Sequence, residues 1–374
     1  MLYAKIRIKE EMGYMTKYRV GIIGCGWVST GHMNGYRGVP ETEVVAAADV
    51  NVERLEKFSA EWGIKKVYTD YTAMLQKEQI DIVSICTWPS LHCKITMEAA
   101  KWGVKAILCE KPIALGMVDA NKMIEACNRV NCKLVVNHQR RFESRYVKSK
   151  ELMHNGEIGR LLKMEVHQGH LFTDDHGIDL LRFFAADVPA RYVMGQVDWQ
   201  NRRCSRYGHN VEDSAMGYIK FENDIEGYVL AGRISDEQLN YSMVLRGTEG
   251  LIEISGGNYP AKSFVRVLNS RTLGWRAFQV EDGLLGTPRR EIMGSPTIEY
   301  YWIKAWQRQV ESIVSYVENN GEHVCSGYQA LKDLEIIAAL FESSRLRKVV
   351  HFPLPPEVDE PLELMEKTHH VQVD

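Results

Sequence analysis

Hydrophobic positions in the first third of the chain fall into short, nearly unbroken runs: YRVGIIG (18–24), TEVVAAAD (42–49), DIVSICT (81–87), KAILCE (105–110) and KLVVN (133–137). Such runs suit strands covered on both faces, as in a parallel sheet. Between them, apolar residues recur at helical spacing in NVERLEKFSAEWG (51–63), DYTAMLQKEQ (70–79), LHCKITMEAAKWG (91–103) and MVDANKMIEACNRV (117–130). Repeated strand–helix–strand order predicts a doubly wound α/β domain over 15–138, preceded by an extension at 1–14. From residue 139 the period becomes two. A helical stretch near 144–155 leads into LLKMEVHQG, RYVMGQVDW, SAMGYIKFE, IEGYVLAGR, YSMVLRG, GLIEIS and SFVRVLN. Alternation of this kind predicts a large, mostly antiparallel open sheet with one exposed face. Helical patterns near 300–319 and 328–345 complete an α+β domain over 139–353. The acidic, proline-broken tail at 354–374 is expected to run extended over the body or a neighbouring subunit.

Composition narrows the function classes. The chain has 374 residues, 45% hydrophobic and 25% charged, enough for two cores. A net charge of −3 offers no concentrated basic face for nucleic acid. No stretch approaches about 18 consecutive apolar residues, so no membrane helix is expected. Residues 1–20 lack a signal-peptide core, and the expected location is cytoplasmic. None of the eight cysteines forms a C-x-x-C pair. Cys86, Cys93, Cys109 and Cys127 lie in apolar runs, where a thiol acts as a small hydrophobe.

The first strand runs into Gly24-Cys25-Gly26-Trp27-Val28-Ser29. Gly24 permits a tight turn, Gly26 lets backbone approach a pyrophosphate, and the following helix N-terminus faces the phosphate charge. Ser29 is small enough for close helix–strand packing. Asp49 ends the second strand, where a carboxylate accepts from ribose hydroxyls. That carboxylate also repels a 2′-phosphate, favouring NAD over NADP, although Arg54 is near enough in sequence to soften the preference. The alternative is a tight turn in an α/β protein that binds no nucleotide. Glu110-Lys111-Pro112 closes the fourth apolar run. Ligands of open α/β sheets bind beyond the carboxyl ends of the strands, so Lys111 is aimed at the crevice. Pro112 fixes the backbone behind it, in the cis or trans form. A solvated lysine in a surface turn is the bland alternative.

With GIIGCGWVS, AAADVNVERL, ICTWPSLH, CEKPIAL, HQRRFESRY, HGIDLLRFF, VEDSA and LRGTEGLIEI in this order, the chain resembles the Gfo/Idh/MocA family of nicotinamide-dependent oxidoreductases, from about residue 17 to 354. The resemblance implies a Rossmann domain followed by an α/β domain whose open sheet supports a homodimer or homotetramer and carries much of the substrate site. It places Gly24, Gly26, Trp27 and Val28 on the pyrophosphate and Asp49 on the adenosine ribose. Thr87, Trp88, Pro89 and His92 would flank the nicotinamide half. Glu110 would hold its ribose, Gln139 would approach the nicotinamide, and Arg140 would meet the substrate.

Oxidation of a secondary alcohol by NAD needs a base within hydrogen-bond reach of the hydroxyl. Lys111 is expected to be that general base, and the general acid in reduction, or to share the proton. His176 opens HGIDLLRFF and shares a helix face with Asp179, which would orient the imidazole or hold a substrate hydroxyl. A histidine bonded only to solvent or backbone is the plainer reading. Many family members carry an aspartate four residues before this histidine; here Phe172 stands there, with Asp174 and Asp175 closer. Either Asp175 or its neighbour substitutes, or the relay is Lys111 and His176 alone. His167 and His170 point to opposite faces of a strand, which argues against a metal site with His176, and no metal is expected. Arg202, Arg203 and Arg206 read as a solvated basic group, and His369-His370 as an exposed pair. The expected function is a dehydrogenase or reductase acting on a sugar or polyol. An NAD-retaining glycosidase-like enzyme using transient oxidation, and a nicotinamide-bound sensor without turnover, are the alternatives.

Overall fold

The computed structural model describes residues 17–199, 205–206, 209–235, 241–255, 264–272, 274–278, 280, 290–292, 295–298, 300–355, 357–358, 360–361 and 363. The extension at 1–14, Arg202, Arg203, His369, His370 and most of the tail lie outside the described residues.

β1 (Tyr18–Ile23), β2 (Thr42–Ala48), β3 (Lys66–Tyr68), β4 (Ile82–Ile85), β5 (Ala106–Cys109) and β6 (Lys133–Val136) form one sheet in the order β3-β2-β1-β4-β5-β6. Every pairing in it is parallel. β4 and β5 are buried at all four positions, which is why their sequences are continuously apolar. Five of these strands are legible as apolar runs. β3 is not: it is a three-residue edge strand with Lys66 and Val67 exposed, so nothing selects for an apolar run there.

Helices α1 (Ser29–Arg37), α2 (Val52–Trp62), α3 (Tyr71–Lys77), α4 (Pro89–Lys101) and α5 (Met117–Arg129) connect these strands. Their ends follow local chemistry. The side chain of Asn51 accepts from Arg54 N and that of Asp70 from Thr72 N, each satisfying a donor that has no partner in the first turn. α2 stops at Gly63 with φ of 70°, a left-handed cap that glycine takes without a Cβ penalty. Because β1 and β4 are adjacent in the sheet but not in sequence, the winding reverses between them. A crevice opens beyond their carboxyl ends.

A short 3-10 turn (Gln139–Phe142) and α6 (Ser144–His154) lead into the second unit. It comprises β7 (Leu161–Gln168), α7 (His176–Phe184), β8 (Ala190–Asp198), a β9 (Ser205–Arg206) and β10 (His209–Asn210) pair, β11 (Ser214–Phe221), β12 (Glu226–Gly232), β13 (Met243–Gly247), β14 (Gly250–Ile254), β15 (Val265–Asn269), β16 (Arg276–Phe278), a β17 (Arg290–Ile292) and β18 (Ser295–Ile298) pair, α8 (Tyr300–Asn319), α9 (Gly327–Leu346) and β19 (Val350–His351). Nine of the strands form a sheet in the order β16-β15-β14-β13-β7-β12-β11-β8-β19. It is antiparallel except where β12 runs parallel to β7. α9 lies directly on one face: a Cβ at Gly195 of β8 would come within 2.5 Å of Leu340 O. The other face exposes Met194 and Met216, and the Tyr218 ring lies 6.0 Å from Tyr192 and 5.4 Å from Tyr228.

α8 returns to the first unit. Its Trp306 ring sits against Gly31 of α1, where a Cβ would lie 2.5 Å away, and 4.6 Å from the ring of His32. Val310, Ile313 and Val314 share a core with Val20, Ile22 and Phe58. A second core runs continuously from the parallel sheet into the antiparallel one. The two units are thus packed through apolar surface, with the crevice beside the joint.

Candidate active site

The glycine turn leaves β1 at the point where the winding reverses. Gly24 has φ of 90°, and a Cβ there would lie 2.6 Å from Cys86 O, so only glycine allows β1 and the end of β4 to meet this closely. A Cβ at Gly26 would meet nothing within 4 Å, so that backbone faces open space. Trp27 is exposed beside it, and Val28 leads into α1. Asp49 lies just past β2 and is 7% exposed. Its Oδ2 accepts from Cys25 N at 2.8 Å, its Oδ1 accepts from Asn51 N at 2.8 Å, and Arg54 Nη1 is 3.5 Å from Oδ2. This carboxylate buttresses the glycine turn. Burial, reinforced by Asp49, pushes the Cys25 thiol up to about 12, so it is a packing residue rather than a nucleophile. Open space over Gly26, a helix N-terminus behind it and a carboxylate at the second strand fit a dinucleotide.

Across the crevice, Thr87 follows β4, Trp88 is exposed at the N-cap of α4, and Pro89 is its first residue. Thr87 Oγ1 is buried with no hydrogen-bond partner among the described residues. His92 differs from the expectation. It is fully buried, with Nδ1 3.0 Å from Pro112 O and Nε2 3.1 Å from Thr87 O. Burial lowers its pKa. Its ring ties the Thr87 loop to the Lys111–Pro112 turn.

Lys111 follows β5 and joins Pro112 through a cis peptide bond. Its Nζ donates to Thr173 O at 2.9 Å, which brings the ammonium to the segment leading into His176. Glu110, expected to hold the nicotinamide ribose, is tied into the protein. It is 5% exposed, and its Oε1 lies 2.9 Å from His32 Nε2 and accepts from Asn137 Nδ2 at 2.5 Å. Ser84 Oγ lies 2.5 Å from His32 Nδ1. Burial opposes ionisation of Glu110, but His32, Lys111 and Asn137 outweigh it and hold the carboxyl below its usual range. Glu110 therefore braces the lysine turn from inside.

His176, at the first position of α7, is 4% exposed. Its ring is edge-on to His138 and to Tyr241, each 5.8 Å away between centroids. Asp179 does not join it. Asp179 is fully buried and accepts from Arg141 Nε at 2.7 Å, with His138 Nδ1 3.3 Å away. A carboxylate so deep in the protein needs a cation, and Arg141 supplies it; the shared helix face that the i, i+3 spacing suggested is overridden. Asp175 Oδ2 lies 3.3 Å from His138 Nε2, while Oδ1 has no hydrogen-bond partner among the described residues. Gln139 Oε1 is likewise buried without one. Arg140, expected on the substrate, is 3% exposed, pairs with Glu143 at 2.9 Å and stacks 3.6 Å from the Tyr241 ring centroid. Its charge is already matched inside the protein. Phe172 is buried, so the position where an aspartate was looked for faces the core.

Two further residues of the site, His138 in HQRRFESRY and Glu212 in VEDSA, lie inside motifs of the resemblance that assign them no role. His138 is fully buried beside Asp175, Asp179 and Asp333. Burial opposes its protonation, but Asp179 and Asp175 raise its pKa to about 9. Glu212 accepts from Leu171 N and, by burial, has its carboxyl pushed up to about 7. Potential ligand atoms of His138, Asp175 and His176, and of His138, Asp179 and Asp333, lie within 4.8 Å of one another. Arg141 and Arg182 already balance Asp179 and Asp333. No described helix is long and apolar enough to cross a membrane.

Comparison with known proteins agrees with this geometry. D-apiose dehydrogenase from Paraburkholderia graminis is 27% identical over 360 residues, covering 89% of this chain and 89% of that protein. Myo-inositol 2-dehydrogenase from Thermotoga maritima is 30% identical over 142 residues, covering 38% of this chain and 42% of that protein. The structure of a levoglucosan dehydrogenase in complex with NADH and levoglucosan superposes with a TM-score of 0.77 at 21% identity, covering 90% of this chain and all of that one, a likeness of fold. Residues 18–138 match the oxidoreductase family domain described as an NAD-binding Rossmann fold, and residues 150–352 match that family's C-terminal alpha/beta domain. The chain therefore belongs to the Gfo/Idh/MocA family of oxidoreductases, with an NAD-binding Rossmann domain followed by an α/β domain.

Proposed function

We propose that the protein transfers hydride between NAD(H) and a secondary alcohol or ketone of a sugar, polyol or sugar-derived substrate, with Lys111 as general acid and base. The observation that carries this reading is the placement of Lys111 Nζ. It follows β5, on the far side of β4 from the strand that bears the glycine turn, and donates to Thr173 O in the segment that opens α7 at His176. An ammonium between the two units has the crevice on one side and a histidine on the other. Relatives named as apiose and inositol dehydrogenases support a polyol-like substrate.

Bound NAD accepts the hydride in oxidation and NADH returns it in reduction. The residues would divide the remaining work. Gly24, Gly26 and Val28 would present backbone to the pyrophosphate, and Asp49 would accept from the adenosine ribose while disfavouring a 2′-phosphate. Thr87 and Gln139, with buried unpartnered oxygens, would meet the nicotinamide half, between Trp88 and Pro89 on one wall. Lys111 would take the hydroxyl proton as hydride leaves, which needs its pKa drawn toward neutrality. Desolvation by the closed site and the positive ring beside it both act in that direction. His176 would share that proton or hold a neighbouring hydroxyl, with Asp175 next to it. The boundary between units is placed at 138/139, and the exposed sheet face bearing Met194 and Met216 is the proposed surface for a homodimer or homotetramer.

The test is incubation with NAD, and separately with NADH, across panels of sugars, inositols, sugar acids and their ketones, following NADH absorbance. At least one member should be turned over. Dinucleotide binding by calorimetry without turnover in either direction contradicts the reading.

A further inference from the structure

We propose that His138 is a positioning residue of this site, holding Asp175 in an ion pair so that the two together orient His176 and set its charge; this rests on the role given to His176 above. β6 delivers two neighbours to opposite sides: Asn137 turns to Glu110, and His138 turns under α7. There His138 Nε2 lies 3.3 Å from Asp175 Oδ2, and Nδ1 lies 3.3 Å from Asp179 Oδ1 and 3.5 Å from Asp333 Oδ2. Asp179 has Arg141 as a further cation, and Asp333 has Arg182 at 2.9 Å. Asp175 has His138 alone as ion-pair partner among the described residues, and its second oxygen is buried without a hydrogen bond. The pair therefore fixes where that carboxylate points.

Facing carboxylates on α7 and α9 keep His138 doubly protonated near neutral pH, its pKa raised to about 9 against the pull of burial. Nε2 hydrogen-bonds Asp175 Oδ2, Nδ1 faces Asp179 and Asp333 with no hydrogen-bond partner among the described residues, and the spacing of His138, Asp175 and His176 is read as an ion pair beside a second histidine. Around His176 stand Asp175, the imidazolium of His138 and the Tyr241 ring, which carries the Arg140 guanidinium on its face, with the Lys111 ammonium bound to Thr173 O three residues earlier in the chain. Removing either partner of the pair must move His176 in opposite directions. Loss of the cation leaves Asp175 to favour protonated His176; loss of the anion leaves the cation to oppose it.

The test is side-chain nitrogen NMR of the histidines in the full chain, with His176 assigned from His176→Gln. His138→Asn should raise the titration midpoint of His176 by about one pH unit and Asp175→Asn should lower it by about one, with NADH affinity unchanged. A merely structural role predicts no shift, or shifts of one sign, and either result overturns the proposal. Conversion of His138 by added zinc to a metal-bound ring overturns it too. Should His138→Asn fail to fold, Asp175→Asn must still lower the midpoint, and His138→Gln must raise it. None of these readouts requires turnover, so a silent substrate panel and a failure of this pair remain distinguishable.

Discussion

Two buried polar clusters flank Lys111, and adjacent residues of one strand exit feed them. Asn137 enters a cluster confined to the parallel-sheet unit, where a single carboxylate, Glu110, is surrounded by His32, Ser84 and an amide. His138 enters one that joins both units, where Asp175, Asp179 and Asp333 alternate with His138, Arg141 and Arg182. The first holds one carboxylate through His32, the nearby Lys111 and the Asn137 amide, so it braces the lysine turn with a single anion to satisfy. The second is stable only while each carboxylate keeps a cation, which makes it sensitive to pH and to single charge changes. One cluster fixes geometry; the other fixes charge.

The largest expected effect lies between them. Lys111→Ala should lower kcat by roughly 10²–10⁴-fold while leaving NADH affinity within a few fold, measured by steady-state kinetics and calorimetry. Next comes the charged cluster. Asp179→Asn removes the buried carboxylate from Arg141 Nε, leaving Arg141 with the part-exposed Asp187 and His138 with Asp175 and Asp333, and should destabilise the protein by about 3–5 kcal/mol in denaturant unfolding. The matching change in the other cluster, Glu110→Gln, keeps hydrogen bonding and should cost less, about 1–3 kcal/mol. Equal losses from these two amide exchanges would erase the distinction drawn above. Gly24→Ala should cost about 1–3 kcal/mol through its positive φ and weaken dinucleotide binding, because the added Cβ meets Cys86 O.

The smallest effect is a slope. The folded protein holds the His138 proton more tightly than an unfolded chain does, with a pKa of about 9 against an ordinary value of 6.5. Its stabilisation is therefore complete below about pH 6.5 and is lost as the pH rises through about 9. His138→Asn should flatten stability over that window, as read from unfolding midpoints.

The doubly wound unit was legible because strands buried on both faces must be apolar throughout. β4 and β5 could not be anything else, whereas β3, at an exposed edge, left no such trace. The positions of Gly24, Asp49 and Lys111 at strand ends were legible because a tight turn and the ends of apolar runs each leave a local signal. The buried partners of Asp179, His92 and Glu110 were not legible, for a shared reason. Their partners, Arg141, Pro112 and His32, are set by tertiary packing, and periodicity cannot tell a crevice-facing polar side chain from one turned to a buried counterpart. His138 and Glu212 lie inside HQRRFESRY and VEDSA without an assigned role, because a histidine after a strand and a glutamate before one carry no spacing signal of their own. Only the carboxylates and backbone amides gathered around them give them meaning.

The most direct test of the account is a crystal structure of the ternary complex with NADH and a polyol or ketone that the protein turns over. Lys111 Nζ is predicted to leave Thr173 O and stand within about 3.2 Å, or one bridging water, of the oxygen on the carbon that faces the nicotinamide. A lysine still bound to Thr173 O, with another group at that oxygen, would contradict it.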